Sequence, residues 1–200
     1  MSYDPFKLLR IEFKESHVEL DSVQDTFTAS EIGLFMLGVN EVLRDNTESV
    51  KIVSVGNNSL FIPILVWRMM GSEPNPIHEY SMHNLWDEGG LMYMMNYLQT
   101  TQYPFIIQNG LVSNTLKSYF PGQIAFVWYT PGVPEADPRD TYEVVRNEIT
   151  LIQHALTLNF VIYCKTVIEE QRRAIEDVFP STRYRLRRFD IAPALLVILP

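Results

Sequence analysis

Two neighbouring stretches set the fold class: residues 123–129, QIAFVWY, and residues 140–167, DTYEVVRNEITLIQHALTLNFVIYCKTV. The first crowds β-branched and aromatic residues together and predicts a strand. In the second, Tyr142, Val145, Ile149, Ile152 and Leu156 recur at intervals of three and four, which predicts a helix from Asp140. The apolar run Leu158 to Val167 that follows admits either a continued helix or a buried strand, because short runs of Val, Ile and Phe suit both. Ile168 to Val178 reads as an amphipathic helix in either case, and Thr182 to Leu199 as two strands broken at Asp190-Ile-Ala-Pro193.

Working back toward the amino terminus, Leu9, Ile11 and Phe13 alternate with Arg10, Glu12 and Lys14, the period of a half-buried strand, and Val18 and Leu20 repeat it. Thr28-Ala-Ser-Glu31 forms a capping box ahead of Ile32, Phe35, Met36, Val39, Val42 and Leu43, a helix that should end near Asp45-Asn46. Lys51 to Val55, a turn at Gly56-Asn57-Asn58 and an apolar second arm from Ser59 to Trp67 predict a hairpin. Pro63 would hold that second arm at an edge or bulge. Ser81 to Gln99 reads as two short helices interrupted at Gly89-Gly90. Strands and helices without a regular βαβ alternation predict an α+β fold: a mixed or antiparallel sheet packed against several helices. One domain spans 1–200, with internal connectors at the proline-containing stretches 71–76 and 131–138.

With 46% apolar and 20% charged residues, the chain has the composition of a folded protein, not of a disordered or low-complexity one. A single cysteine, Cys164, excludes an intrachain disulfide framework and every multi-cysteine metal site, and points to a reducing, cytoplasmic setting. Charges in MSYDPFKLLRIEFKES interrupt what a secretory signal would need, and no continuously apolar stretch approaches membrane-helix length, so no membrane partner is expected.

Charge is distributed unevenly. Residues 1–138 hold 7 Lys+Arg against 16 Asp+Glu, while residues 139–200 hold 9 against 8. Between Gly89 and Pro134 the only charged side chain is Lys117, so this aromatic-rich segment belongs in a core or against a partner. Six of the eight methionines fall between Met69 and Met95, and methionine serves both irregular cores and adaptable contacts. Met92, Met95, Tyr93 and Tyr97 are therefore the candidate protein interface.

The residues that carry chemistry are sparse. Neither GxSxG, GxGxxG nor GxxxxGK[ST] occurs, so no nucleophile elbow or glycine-rich phosphate cradle is present. Cys164 lies among apolar residues that would leave its thiol inert. His83 and Asp87 would share a helix face at i,i+4, but with His78 they lack further ligands nearby, and no metal site is assigned. Glu12, Glu15 and Glu19 do not make a convincing acid–base pair.

One constellation stands out. Arg183, Arg185 and Arg187 fall on one face of a predicted strand, with Tyr184, Leu186 and Arg188 on the other, and Arg172 and Arg173 lie on the preceding helix. These five arginines form a candidate patch for a polyanion or an acidic partner. The reading favoured over that patch is a ladder against the acidic amino-terminal strands, through Glu12 or Glu19, and exposure of the guanidiniums discriminates the two. The net charge of -8 disfavours nucleic acid. The expectation is thus a non-catalytic interaction or regulatory protein (accessory, adaptor or inhibitor) of a bacterial or viral system, with no cofactor and no catalytic residue. An unidentified protein partner and self-association through the apolar end Ala194 to Pro200 are expected with it. A nucleic-acid-associated protein using Arg183 to Arg188, or an enzyme with a dispersed site, are the alternatives.

Overall fold

The computed structural model describes residues 50–56, 79–101, 105–131, 137–166, 168–190 and 192–200. The strands are β1 (Lys51–Gly56), β2 (Glu79–Asn84), β3 (Phe105–Asn109), β4 (Ile124–Thr130), β5 (Leu156–Lys165), β6 (Arg185–Phe189) and β7 (Ala192–Leu199). The helices are α1 (Glu88–Thr101), α2 (Val112–Thr115), α3 (Pro138–Ala155) and α4 (Glu169–Val178), with a 3-10 turn at Leu116–Ser118. The strands form one sheet in the order β3-β2-β1-β4-β5-β7-β6. From β3 to β5 every pairing is parallel, and β7 alone runs against its neighbours. The expected mixed sheet packed with helices is therefore what the chain builds.

Parallel strands must be joined by crossovers, and here α1, α2 with the 3-10 turn, and α3 supply them. One face of the sheet, with Val53, Val55, Val127, Tyr129, Ile162, Cys164, Leu196 and Ile198, packs on Val145, Ile149 and Ile152 of α3 and on Ala174 and Ile175 of α4. The opposite face, with Ile52, Met82, Phe126, Trp128, Tyr163 and Val197, is buried as well. Burial on both faces explains why β4 and β5 read as continuous apolar runs instead of alternating ones. Asp137 caps α3 by accepting the Arg139 N–H at 2.9 Å, and Pro138 occupies the first helical position, where its missing N–H costs nothing.

Several expectations are corrected. Both edges of β1 are taken by β2 and β4 in parallel, so Lys51–Gly56 has no place for a hairpin partner. The stretch from Ser81 is not two helices: Glu79–Asn84 is a strand, and one helix begins at Glu88 with both glycines in its first turn. There the Asp87 carboxylate accepts the Gly90 N–H at 2.7 Å, which offsets the weak helix propensity of glycine. Of the two readings open for the run after α3, the strand is the one formed: α3 ends at Ala155, and Ile162 and Tyr163 of β5 pair with both β4 and β7. The apolar carboxyl end is β7, seated between β5 and β6 with Leu195 to Ile198 buried, so the chain itself covers the segment that suggested self-association. The strands predicted within 7–21, the helix after Thr28, the arm 59–67 and the connector 71–76 lie outside the described residues, as do Glu12, Glu15, Glu19 and His78.

Candidate functional site

The sheet order reverses direction at β1: β2 and β3 follow on one side, β4 and β5 on the other. Successive crossovers leave the sheet in opposite directions at such a point, opening a crevice outside the carboxyl ends of the strands where open α/β sheets bind ligands. The candidate site is therefore the rim formed by Val55-Gly56, His83 to Asp87, Gln108 to Leu111 and Tyr129 to Pro131.

At the centre of the rim, Gly56 has φ of +91°. A Cβ placed there would stand 1.7 Å from the Thr130 carbonyl oxygen and 2.8 Å from its carbonyl carbon. Only glycine lets β1 turn away this close to β4. Thr130 is itself held, its hydroxyl accepting the Trp128 indole N–H at 3.0 Å.

Beside it, the ends of β2 and β3 are tied to the loop between β2 and α1. Asn84 Oδ1 accepts the Leu85 N–H and Asn109 Oδ1 the Trp86 N–H, each at 2.9 Å, while the Gly110 N–H donates to the Asn84 carbonyl at 3.1 Å. With both amide oxygens turned to the loop backbone, each asparagine keeps its NH2 donors for other partners. Leu85 and Leu111 leave apolar surface exposed on the same rim.

Under this rim lies a buried polar cluster. The Tyr119 hydroxyl, brought in by the end of the 3-10 turn, stands 2.6 Å from both Ser81 Oγ and His83 Nε2, and Ser81 Oγ is 3.2 Å from the same nitrogen. Desolvation lowers the His83 pKa to about 4, so the ring is neutral at physiological pH. Desolvation also raises Tyr119 to about 12, against the Ser81 hydrogen bond, so the phenol keeps its proton. The ring's other nitrogen, Nδ1, is buried and has no hydrogen-bond partner among the described residues. On the far side of Tyr119, Lys51 Nζ sits 5.3 Å from the ring centroid and pairs with Glu79 at 2.6 Å. Near the end of β4, the Tyr129 hydroxyl donates to Glu148 Oε2 at 2.7 Å, and burial raises the pKa of both groups.

The sequence-predicted site residues lie elsewhere. Arg185 and Arg187 are on β6, the sheet edge farthest from β3, and Arg183 falls in the turn before it and not on the strand. All three are exposed. Arg172 pairs with Glu169 at 3.3 Å, and the Arg173 guanidinium lies 5.4 Å from the Tyr142 ring centroid, so these two are engaged within the helical layer. Met92 and Met95 are exposed on α1, and the side chains of Tyr93 and Tyr97 lie outside the described ones. The His83–Asp87 helix face does not exist, since His83 is on β2 and Asp87 caps α1. Sequence reasoning missed Gly56 and His83, reading the first as a hairpin turn and the second as helical; an apolar run halted by a lone glycine was the available signal for the first.

No protein-family model and no curated relative matches this sequence. Solved structures share its fold. A TDP-rhamnose 3'-O-methyltransferase of calicheamicin biosynthesis superimposes with a TM-score of 0.59 at 13% identity, over 83% of this chain and 78% of that one. The precorrin-6y C5,15-methyltransferase of Geobacter metallireducens gives 0.56 at 11%, over 82% and 84%. The bifunctional kinase-methyltransferase WbdD gives 0.63 at 8%, over 85% of this chain and 39% of that longer one. Identities this low establish a shared fold. The expectation of a non-catalytic interaction protein is corrected by these neighbours, since the three structures just described are named as methyltransferases.

Proposed function

We propose that the chain is a methyltransferase whose crevice at the β1–β4 reversal binds a nucleoside-bearing sulfonium donor of the S-adenosylmethionine type. The observation that carries the reading is the charge of the rim. Ser54 to Gly56, His83 to Asp87, Gln108 to Leu111 and Trp128 to Pro131 contain no lysine or arginine, and His83 is held neutral. A dinucleotide brings phosphates, and its sites answer with glycine-rich turns, helix N-termini or arginine. Among the described residues this rim has two separate glycines, Gly56 and Gly110, with no glycine-rich turn, and one acidic residue, Asp87, which suits a cationic, phosphate-free ligand. When bound, such a donor supplies an electrophilic methyl group on a positively charged sulfur for displacement by a nucleophile of the acceptor.

The chain's own contribution is placement. Gly56 lets β1 turn away against β4, and the Asn84 and Asn109 NH2 groups are donors to acceptor atoms of a nucleoside. The hydrogen-bonded loop from Asn84 to Asp87 keeps these groups ordered before binding, which lowers the entropy cost of association. Neighbours of this fold are named for chemically unlike acceptors, so the proposal concerns the donor site. No helix among the described residues is long and apolar enough to cross a membrane, and the buried free thiol of Cys164 favours a cytoplasmic setting.

The test is equilibrium binding. Isothermal titration with S-adenosylmethionine and S-adenosylhomocysteine should show saturable one-site binding, with NADH as the control. Saturable NADH binding, or no heat from either sulfur ligand at millimolar concentration, would overturn the reading.

A further inference from the structure

Four of the chain's sixteen basic residues occur between Arg183 and Arg188, and no acidic residue lies between Phe179 and Phe189. β6 alternates its side chains. Leu186 and Arg188 turn to the helical layer, where Arg188 pairs with Glu176. Arg185 and Arg187 turn the other way, about 6.7 Å apart along the strand, with Arg183 in the turn ahead of them. Arg185 donates from Nε to the Pro200 carbonyl at 3.1 Å; Arg183 and Arg187 have no side-chain partner among the described residues. All three guanidiniums are exposed, and Glu12 and Glu19, the partners a charge ladder would use, lie outside the described residues.

We propose that this sheet edge is a docking site for the phosphate backbone of a single-stranded nucleic acid, independently of the donor site. Guanidiniums are charged at every physiological pH, and their planar forks match phosphate oxygens in pairs. Arg185 and Arg187 repeat along the strand with Arg183 just ahead of them, which suits a ligand whose anions also repeat along a chain. Charge complementarity fixes the place: three exposed guanidiniums stand on a stretch with no acidic residue between Phe179 and Phe189, so the local field at this edge is positive. The aromatics of the strand are not a stacking platform. Tyr184 is half-buried against Phe179 and Phe160, and Phe189 is half-buried too. Recognition therefore reads phosphates and not bases, and base composition should matter little.

Fluorescence anisotropy with a labelled mixed-sequence single-stranded RNA tests this on the full chain. Three neutralised phosphates predict affinity falling about 20-fold between roughly 50 and 200 mM salt. The variant R183Q/R185Q/R187Q should bind at least tenfold more weakly with an unchanged circular dichroism spectrum, whereas K117Q, an exposed cation elsewhere, should bind as the parent does. If the glutamine variant fails to fold, R183K/R185K/R187K decides: it keeps the charges without the paired forks, so it should bind several-fold more weakly than the parent with the same salt dependence. No binding by the parent at low salt would overturn the proposal. So would undiminished binding by the folded glutamine variant or by the folded lysine variant, or polyglutamate competing as well as RNA.

Discussion

Gly56 and Thr130 approach so closely that the carbonyl oxygen of Thr130 occupies the place a Cβ on Gly56 would take, 1.7 Å away. This contact lies where the order of strands reverses, so the geometry that opens the crevice also forbids a side chain at its centre. Gly56→Ala should therefore destabilise the fold by about 1–3 kcal/mol from the positive φ alone, with the clash added, and should abolish donor binding. Urea unfolding and titration calorimetry measure the two effects separately.

The buried His83 makes stability depend on pH. Its folded pKa is about 4 against 6.5 for the free side chain, so between these values the unfolded chain binds more protons. Stability is complete above about pH 6.5 and declines by about 3 kcal/mol as pH falls to about 4. His83→Gln should flatten that part of the stability–pH curve, read from urea midpoints across the range.

Tyr119→Phe tests the cluster from its other side. Removing the hydroxyl leaves Ser81 Oγ and His83 Nε2 without their 2.6 Å partner in a buried site, at a cost of about 1–3 kcal/mol. A midpoint unchanged from the parent would show that the cluster contributes nothing.

Glu148 is a half-buried carboxylate whose pKa is raised by desolvation and held back by the Tyr129 hydrogen bond. Tyr129→Phe should raise it further and destabilise the protein at neutral pH, where the charge then lacks its donor. Glu148→Gln keeps an acceptor for Tyr129 and removes the charge, so its stability at neutral pH should equal or exceed the parent's. Denaturant titrations of both variants across the acid range check the pair.

Cys164 is fully buried in β5, and burial pushes its thiol well above the usual range. It should resist thiol reagents in the native protein and react at once when urea unfolds the chain. Rapid labelling under native conditions would contradict the packing of β5 between β4 and β7.

Much of the secondary structure after residue 122 was legible because its signals are local. The helical spacing from Tyr142 to Ile152, the β-branched density of Ile124 to Tyr129 and the break at Asp190 to Pro193 each depend on neighbours within one segment. Alternation likewise put Arg185 and Arg187 on one face of β6, as observed. Glu79–Asn84 was illegible as a strand because its small and polar residues, Ser81 and His83, are tolerated there only by hydrogen bonds to Tyr119, which arrives from 36 residues away. The direction of the strands was decided by tertiary structure alone: Lys51 to Gly56 pairs with β2 and β4 across gaps of 22 and 67 residues, and a strand's own sequence carries no mark of whether its partner runs parallel. The candidate site follows from that pairing, because its rim exists only where strands distant in sequence end side by side.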